Sequence, residues 1–235
     1  MPRDSVSAPY ASSTAAPIDV HRAGAAVLPL PAATLVALAG VSAAVFVLVA
    51  PGLPGSFASW PVAVSLWQLS VTPFCRATGI YRYHSPMLKA TFRTTRTYEV
   101  HGGTSWDWLG LFRFRDRGAR AARQVMVWYL EGFLDVAARI ERGELPPSIE
   151  ITGTSWFFRP GTARRLGFEI RPAGFRLRFN LLLNALDLWL TYSFTRGRLA
   201  LPDILDVKKA VIRGDELVRR RGQISRLCAT LSRRP

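Results

Sequence analysis

Residues Ala23–Cys75, AGAAVLPLPAATLVALAGVSAAVFVLVAPGLPGSFASWPVAVSLWQLSVTPFC, contain no Asp, Glu, Lys or Arg over 53 positions. A run this long and this apolar exceeds any single core helix, and Pro51-Gly52-Leu53-Pro54-Gly55 interrupts it near its middle. About 20 apolar residues cross the ~30 Å hydrocarbon layer of a bilayer, so the run has room for two spans and a tight turn. The first span is expected at Val27–Ala50. The second, at Phe57–Phe74, is weaker: Ser65, Gln68, Ser70 and Thr72 make it moderately polar, and it could lie in the interface instead. A cleaved leader ending near Ser56-Phe57-Ala58 is the rival reading. The long lead before the apolar run and the acidic residues within that lead oppose it.

Outward from this run the charge is lopsided. Residues 1–75 carry Arg3, Asp4, Asp19 and Arg22, which cancel, so the whole net charge of +15 lies in residues 76–235. Arg76, Arg82, Lys89, Arg93 and Arg96 follow the second span closely, whereas the turn between the spans has no charge. The positive-inside rule then places both termini on the cytosolic side of a cell inner membrane. The organisation expected is a disordered tail at 1–22, a two-helix membrane hairpin at 23–75 and a basic α+β domain at 76–235, one mixed sheet-and-helix unit with a helical C-terminus.

A basic domain faces polyanions, and beside a bilayer the partners are anionic lipid headgroups. A protein partner is a further expectation. Nucleic acid is a poor one, because no finger, RRM-type or other recognised module is present. Lys89, Lys208 and Lys209 are the only lysines among 31 basic residues, the rest being arginine. Cys75 and Cys228 match no metal or disulfide spacing, and His21, His84 and His101 are scattered without paired acids, so no metal site is expected.

Within the domain, Met87–His101 reads as one strand by its density of β-formers, and Leu109–Arg115 as a second by its alternation. Met126, Tyr129, Leu130, Phe133, Ala137 and Ile140 trace the apolar stripe of a helix over Gly118–Gly143. Further strands are expected at Ser148–Phe158 and Gly167–Arg171, separated by a short helix opening at Pro160. A long helix over Phe175–Arg196 and a C-terminal helical pair broken at Gly214 complete the order.

Three features carry candidate chemistry. Gly103-Thr104-Ser105-Trp106 recurs as Gly153-Thr154-Ser155-Trp156. Either the copies are equivalent strand-end turns, or Ser105 and Ser155 line a shared substrate-binding rim. His101 and Asp107 flank only the first copy and are its candidate catalytic groups. Asn180, Asn184, Asp187 and Thr191, spaced four, three and four, share one face of an otherwise apolar helix. Asn180 and Asn184 are candidate substrate ligands and Asp187 a candidate catalytic acid, unless the stripe is simply an exposed edge. On the C-terminal helix, Leu217, Ile224 and Leu231 form an apolar seam among Arg219, Arg220, Arg221 and Arg226. The seam suits lipid contact, packing on its own domain or a coiled-coil partner.

Residues 109–172 resemble GNAT-type N-acyltransferases. Leu109–Arg115, the turn Asp116-Arg117-Gly118-Ala119 and the helix beyond are similar to that family's central strand, acyl-CoA loop and helix. Thr162-Ala163-Arg164-Arg165-Leu166-Gly167-Phe168-Glu169 is similar to its closing segment. The resemblance implies acyl-CoA as cofactor, its pyrophosphate held at a helix N-terminus by the loop containing Arg115 and Gly118. The family's final small loop position is Arg120 here. The leading expectation is a membrane-anchored accessory or interaction component of envelope metabolism, with no cofactor. The alternative is an acyl-CoA-dependent transferase at the membrane surface.

Overall fold

A computed structural model describes residues 67, 71–94, 96–154, 160–203 and 206–233. Apart from Trp67 and residues 71–75, the expected hairpin lies outside the described residues, as does the tail. Among the described residues no helix is long and apolar enough to cross a membrane.

The chain enters through a helical segment at 71–77. Strands β1 (Arg82–Ser85), β2 (Leu88–Arg93) and β3 (Thr97–Gly102) follow as an antiparallel meander. Helices α1 (Ser105–Leu111) and α2 (Ala119–Glu141) then carry the chain to β4 (Glu150–Thr154), which pairs parallel to β3. Parallel pairing needs a long crossover, and α2 supplies it. Next come α3 (Pro160–Arg165), β5 (Glu169–Pro172), α4 (Phe175–Leu183), α5 (Ala185–Arg196), β6 (Lys208–Arg213) and α6 (Gly214–Ser232). The six strands lie in the order β1-β2-β3-β4-β6-β5. The expected α+β domain with one mixed sheet and a helical C-terminus is what forms.

Four elements differ from the sequence reading. Met87–His101 is a hairpin rather than one strand. The Thr94 hydroxyl accepts the Thr97 N–H at 2.9 Å and the Arg96 N–H at 3.3 Å, so a threonine that reads as β-former bends the chain. Leu109–Arg115 is not a strand: α1 runs to Leu111 and a 3₁₀ turn covers Phe114–Asp116. The Asp107 carboxylate accepts the Thr104 N–H at 2.8 Å and starts the helix there. Trp108 then stacks on Phe112 one turn later at 4.8 Å. The helix expected over Phe175–Arg196 is two helices, because Asn184 departs from helical geometry (φ −94°, ψ 16°) between them. Finally, 208–213 is strand. Ala210, Val211 and Ile212 are buried between β4 and β5, where a short apolar run outweighs its basic flanks.

The long helix forms as its stripe predicts. Tyr129, Leu130, Phe133, Ala137 and Ile140 are buried, and Leu130 joins Leu88, Val100 and Ile151 in the core. Of the readings open for the C-terminal seam, packing on its own domain is the one realised: α6 lies on α2 with Leu217 and Ile224 fully buried. His84 fastens β1 to its neighbours. Its Nδ1 is 2.7 Å from Asp135 of α2 and its Nε2 is 2.7 Å from the Tyr98 hydroxyl of β3. Burial holds this imidazole below the ordinary 6.5, opposing the pull of Asp135. It therefore binds protons less readily folded than unfolded, and stability falls as pH drops below about 6.5. His84→Gln should flatten that part of the stability–pH curve, as read by urea denaturation between pH 4.5 and 7.

The close approach of α2 to the sheet depends on Gly132. A Cβ there would lie 2.6 Å from Leu88 Cδ2 and 2.7 Å from Leu88 Cβ. Because the second of these atoms is fixed to the strand backbone, Gly132→Ala should destabilise by about 1–3 kcal/mol through overpacking. The higher helix propensity of Ala offsets up to about 1 kcal/mol of this. Denaturant midpoints at neutral pH check it.

Candidate functional site

β2 carries the residue around which the site is built. Leu88 and Ala90 turn into the core, so period-two alternation sends Lys89 to the opposite side. Register places Tyr83 of β1 and His101 of β3 directly beside Lys89, giving a row Tyr83–Lys89–His101 across three strands. The Lys89 side chain is only 3% exposed. Its Nζ lies 4.1 Å from the centre of the Tyr81 ring and 5.8 Å from that of Tyr83, so aromatic faces partly replace lost hydration.

The counter-charge is Asp107, in the first turn of α1. Its Oδ1 accepts the Tyr83 hydroxyl at 2.9 Å. Its Oδ2 accepts the Thr104 N–H, with the Thr104 hydroxyl 3.1 Å away. Lys89 Nζ approaches Oδ2 at 3.6 Å, an ion pair without a formed hydrogen bond, and Arg76 Nη1 stands 3.9 Å from Oδ1. Among the described residues, Lys89 Nζ is the one buried side-chain polar atom with no hydrogen-bond partner. Burial lowers its affinity for a proton below that of an ordinary lysine, and Asp107 and Asp187 oppose this only in part.

Asp187 opens α5. Its Oδ1 accepts the Ser105 N–H at 3.0 Å and also the Ser105 hydroxyl. Burial raises its pKa above the ordinary 3.8, and the Ser105 hydrogen bonds and Lys89 offset part of that. Between the Lys89 row and α4–α5 lies a cleft of about 260 Å³. Lys89, His101, Thr104, Asn180, Asn184, Asp187 and Thr191 contribute polar groups to its wall. Tyr81, Trp108, Leu177, Leu181 and Leu188 contribute apolar surface.

The structure thus gathers His101, Asp187, Asn180 and Asn184 at one cleft, with Asp107 and Ser105 just behind its wall. The Asn-Asn-Asp-Thr stripe lines the cleft across the helix break, from exposed Asn180 at its mouth through half-buried Asn184 to buried Asp187 and Thr191. His101 has Glu99 3.6 Å from its Nε2 and is held below the ordinary 6.5 by burial, against Glu99. Asn184 donates to the Asn180 carbonyl at 2.6 Å, which fixes its side chain along the wall. Ser155 lies outside the described residues.

The repeated tetrapeptides are not equivalent turns. Gly103 and Thr104 follow β3 and lead into α1, whereas Gly153 and Thr154 belong to β4. Gly153 pairs with Val100, three residues out of step with Gly103. Arg115 and Gly118 stand apart from the cleft. Arg115 is exposed in the 3₁₀ turn. The Gly118 N–H donates to the Phe194 carbonyl at 2.8 Å, where the start of α2 meets the end of α5. Lys89, Tyr81 and Tyr83 are the members that sequence reasoning passed over. The available signal was the scarcity of lysine in an arginine-rich chain.

Among the described residues no group of three His, Cys, Asp or Glu side chains could hold a metal ion. Comparison with known proteins finds no matching family model, no matching curated protein and no matching solved structure.

The two aspartates should respond differently to the same change. Asp107→Asn leaves Lys89 buried beside a neutral amide and should cost about 3–5 kcal/mol. Asp187→Asn retains an acceptor for Ser105 and removes a buried carboxyl, so the loss should be about 1 kcal/mol or less. Because the folded state raises the pKa of Asp187, wild-type stability declines as pH rises from about 3.8 through the raised value, and Asp187→Asn should lack that decline. Paired denaturation series from pH 3.5 upward test both statements.

Proposed function

We propose that this protein binds a small polar molecule in the Lys89 cleft and acts on it at the cytosolic face of a membrane. The observation that carries this reading is the buried Lys89 ammonium, which faces the cleft without a hydrogen-bond acceptor. Leaving such a donor unsatisfied costs about 1–3 kcal/mol, more for a charged group. A ligand oxygen at Nζ would recover that. The cleft is lined by few but convergent polar groups on an apolar wall, as small-molecule sites are.

The position of the cleft supports the membrane part. Its rear wall is tied to the end of the charge-free run: the Thr104 hydroxyl is 3.2 Å from that of Thr72, and Arg76 lies over the Tyr83 ring at 4.9 Å. Basic residues follow at once, suited to anionic headgroups. An acyl-CoA ligand has less support, since the Gly118 amide already has an acceptor and Leu109–Arg115 is not a strand.

Two measurements test the proposal. In thermal denaturation, the full chain should be stabilised by members of a panel of short keto acids, hydroxy acids and aldehydes. Lys89→Met should fold and lose the response; equal responses in both proteins would remove the cleft as the site. Reporter fusions after Tyr81 and at the C-terminus should both read cytosolic, and an external C-terminus sinks the topology.

A further inference from the structure

We propose that Lys89 is an amine nucleophile that forms an imine with a small aldehyde or ketone bound in the cleft. This deepens the proposed function and rests on the same site.

The argument begins with composition. Of 31 basic residues, 28 are arginine, and 3 are lysine. Wherever a buried cation need only balance a carboxylate, arginine serves better, because its five fixed donors match a carboxylate fork. Asp107 does not depend on Lys89 for a hydrogen bond: the Tyr83 hydroxyl and the Thr104 N–H already donate to it, and Lys89 approaches it only as an ion pair. What lysine offers and arginine does not is an amine that gives up its proton and keeps a reactive lone pair.

The surroundings of Nζ fit that use. Burial favours the uncharged amine, against the pull of Asp107, and Nζ makes no hydrogen bond. Asp187, across the same cleft, is held toward its neutral acid form by burial and acts electrostatically on Lys89. One environment therefore pushes a base to release a proton and an acid to retain one, which is how acid and base roles are assigned within a pair. His101, Arg76, Cys75 and Glu99 complete the ionisable groups near the row.

The step balances without a further reactant. The Nζ lone pair attacks the carbonyl carbon, and the nitrogen proton passes to the new alkoxide, giving a carbinolamine. Asp187 gives its proton to the hydroxyl, which leaves as water. The products are a protonated imine on Lys89 and an Asp187 carboxylate that balances its charge. The apolar Leu177, Leu181 and Leu188 restrict water, which would otherwise reverse the condensation. At about 260 Å³ the cleft suits a short carbonyl compound, with the Asn180 amide available to a second oxygen.

Reductive alkylation of the full chain with propionaldehyde and cyanoborohydride tests this, because only three side-chain amines compete. Peptide mass mapping across pH 6–10 should show Lys89 modified about tenfold or more faster than Lys208 and Lys209 at pH 7, with its half-maximal rate at lower pH. Asp187→Asn, shown to be folded by circular dichroism, should slow Lys89 alone. Lys89 reacting no faster than Lys208 and Lys209 at pH 7 overturns the proposal in the unaltered protein, whatever the variant does. If the thermal response to the ligand panel persists beside that result, the cleft binds its ligand without covalent chemistry, and only the imine fails.

Discussion

The buried Asp107 carboxylate is the constraint from which the site follows. A charge removed from water costs several kcal/mol unless partners surround it. Here they come from separate parts of the chain: Tyr83 on β1, Lys89 on β2, Thr104 before α1, and Arg76 in the 71–77 helix. Satisfying Asp107 fixes where α1 begins, and that start leaves the Ser105 N–H pointing outward. Asp187 accepts it and so places the first turn of α5. One buried acid, behind the wall of the cleft, thus positions a second in its lining.

How legible this was depended on the length of the pattern. The Ala119–Glu141 helix was readable because its apolar stripe from Met126 to Ile140 repeats over about four turns, and no local accident imitates that. Leu109–Arg115 shows the opposite case. Its alternation of apolar and basic residues matches a strand over only a few positions, while the deciding interaction is the Asp107 carboxylate on the Thr104 amide, just upstream. The stacking of Trp108 on Phe112 then favours i,i+4 spacing over period two. β6 was hidden for a related reason. Six residues opening with Lys208-Lys209 resemble the margin of a helix, and only the neighbours β4 and β5 make Ala210-Val211-Ile212 a central strand.

The site was half visible on the same grounds. Asn180, Asn184, Asp187 and Thr191 announce a common face because helical spacing survives the break at Asn184. His101 and Asp107 were marked by adjacency to the Gly-Thr-Ser-Trp motif, though that motif works as the lead-in to a helix rather than as a repeated turn. Lys89 was not visible in its local context, a Thr-rich strand where a lysine reads as solvent-facing. What buries it is the meeting of Tyr81, Tyr83 and the Asp107 turn of α1 around its side chain, a tertiary fact that no local window contains.

The helix that walls the cleft also has an uneven exterior. The apolar wall of the cleft belongs to α4, and the outer surface of that same helix exposes Phe175, Phe179 and Leu182, with the two phenylalanine rings stacked 6.2 Å apart. Spacing of four and three puts these on one side, with the basic Arg178 among them. With Arg178 and Asn180 exposed as well, the exterior of α4 is mixed, and a stacked pair of exposed rings beside a charge is more apolar surface than a solvated helix face needs.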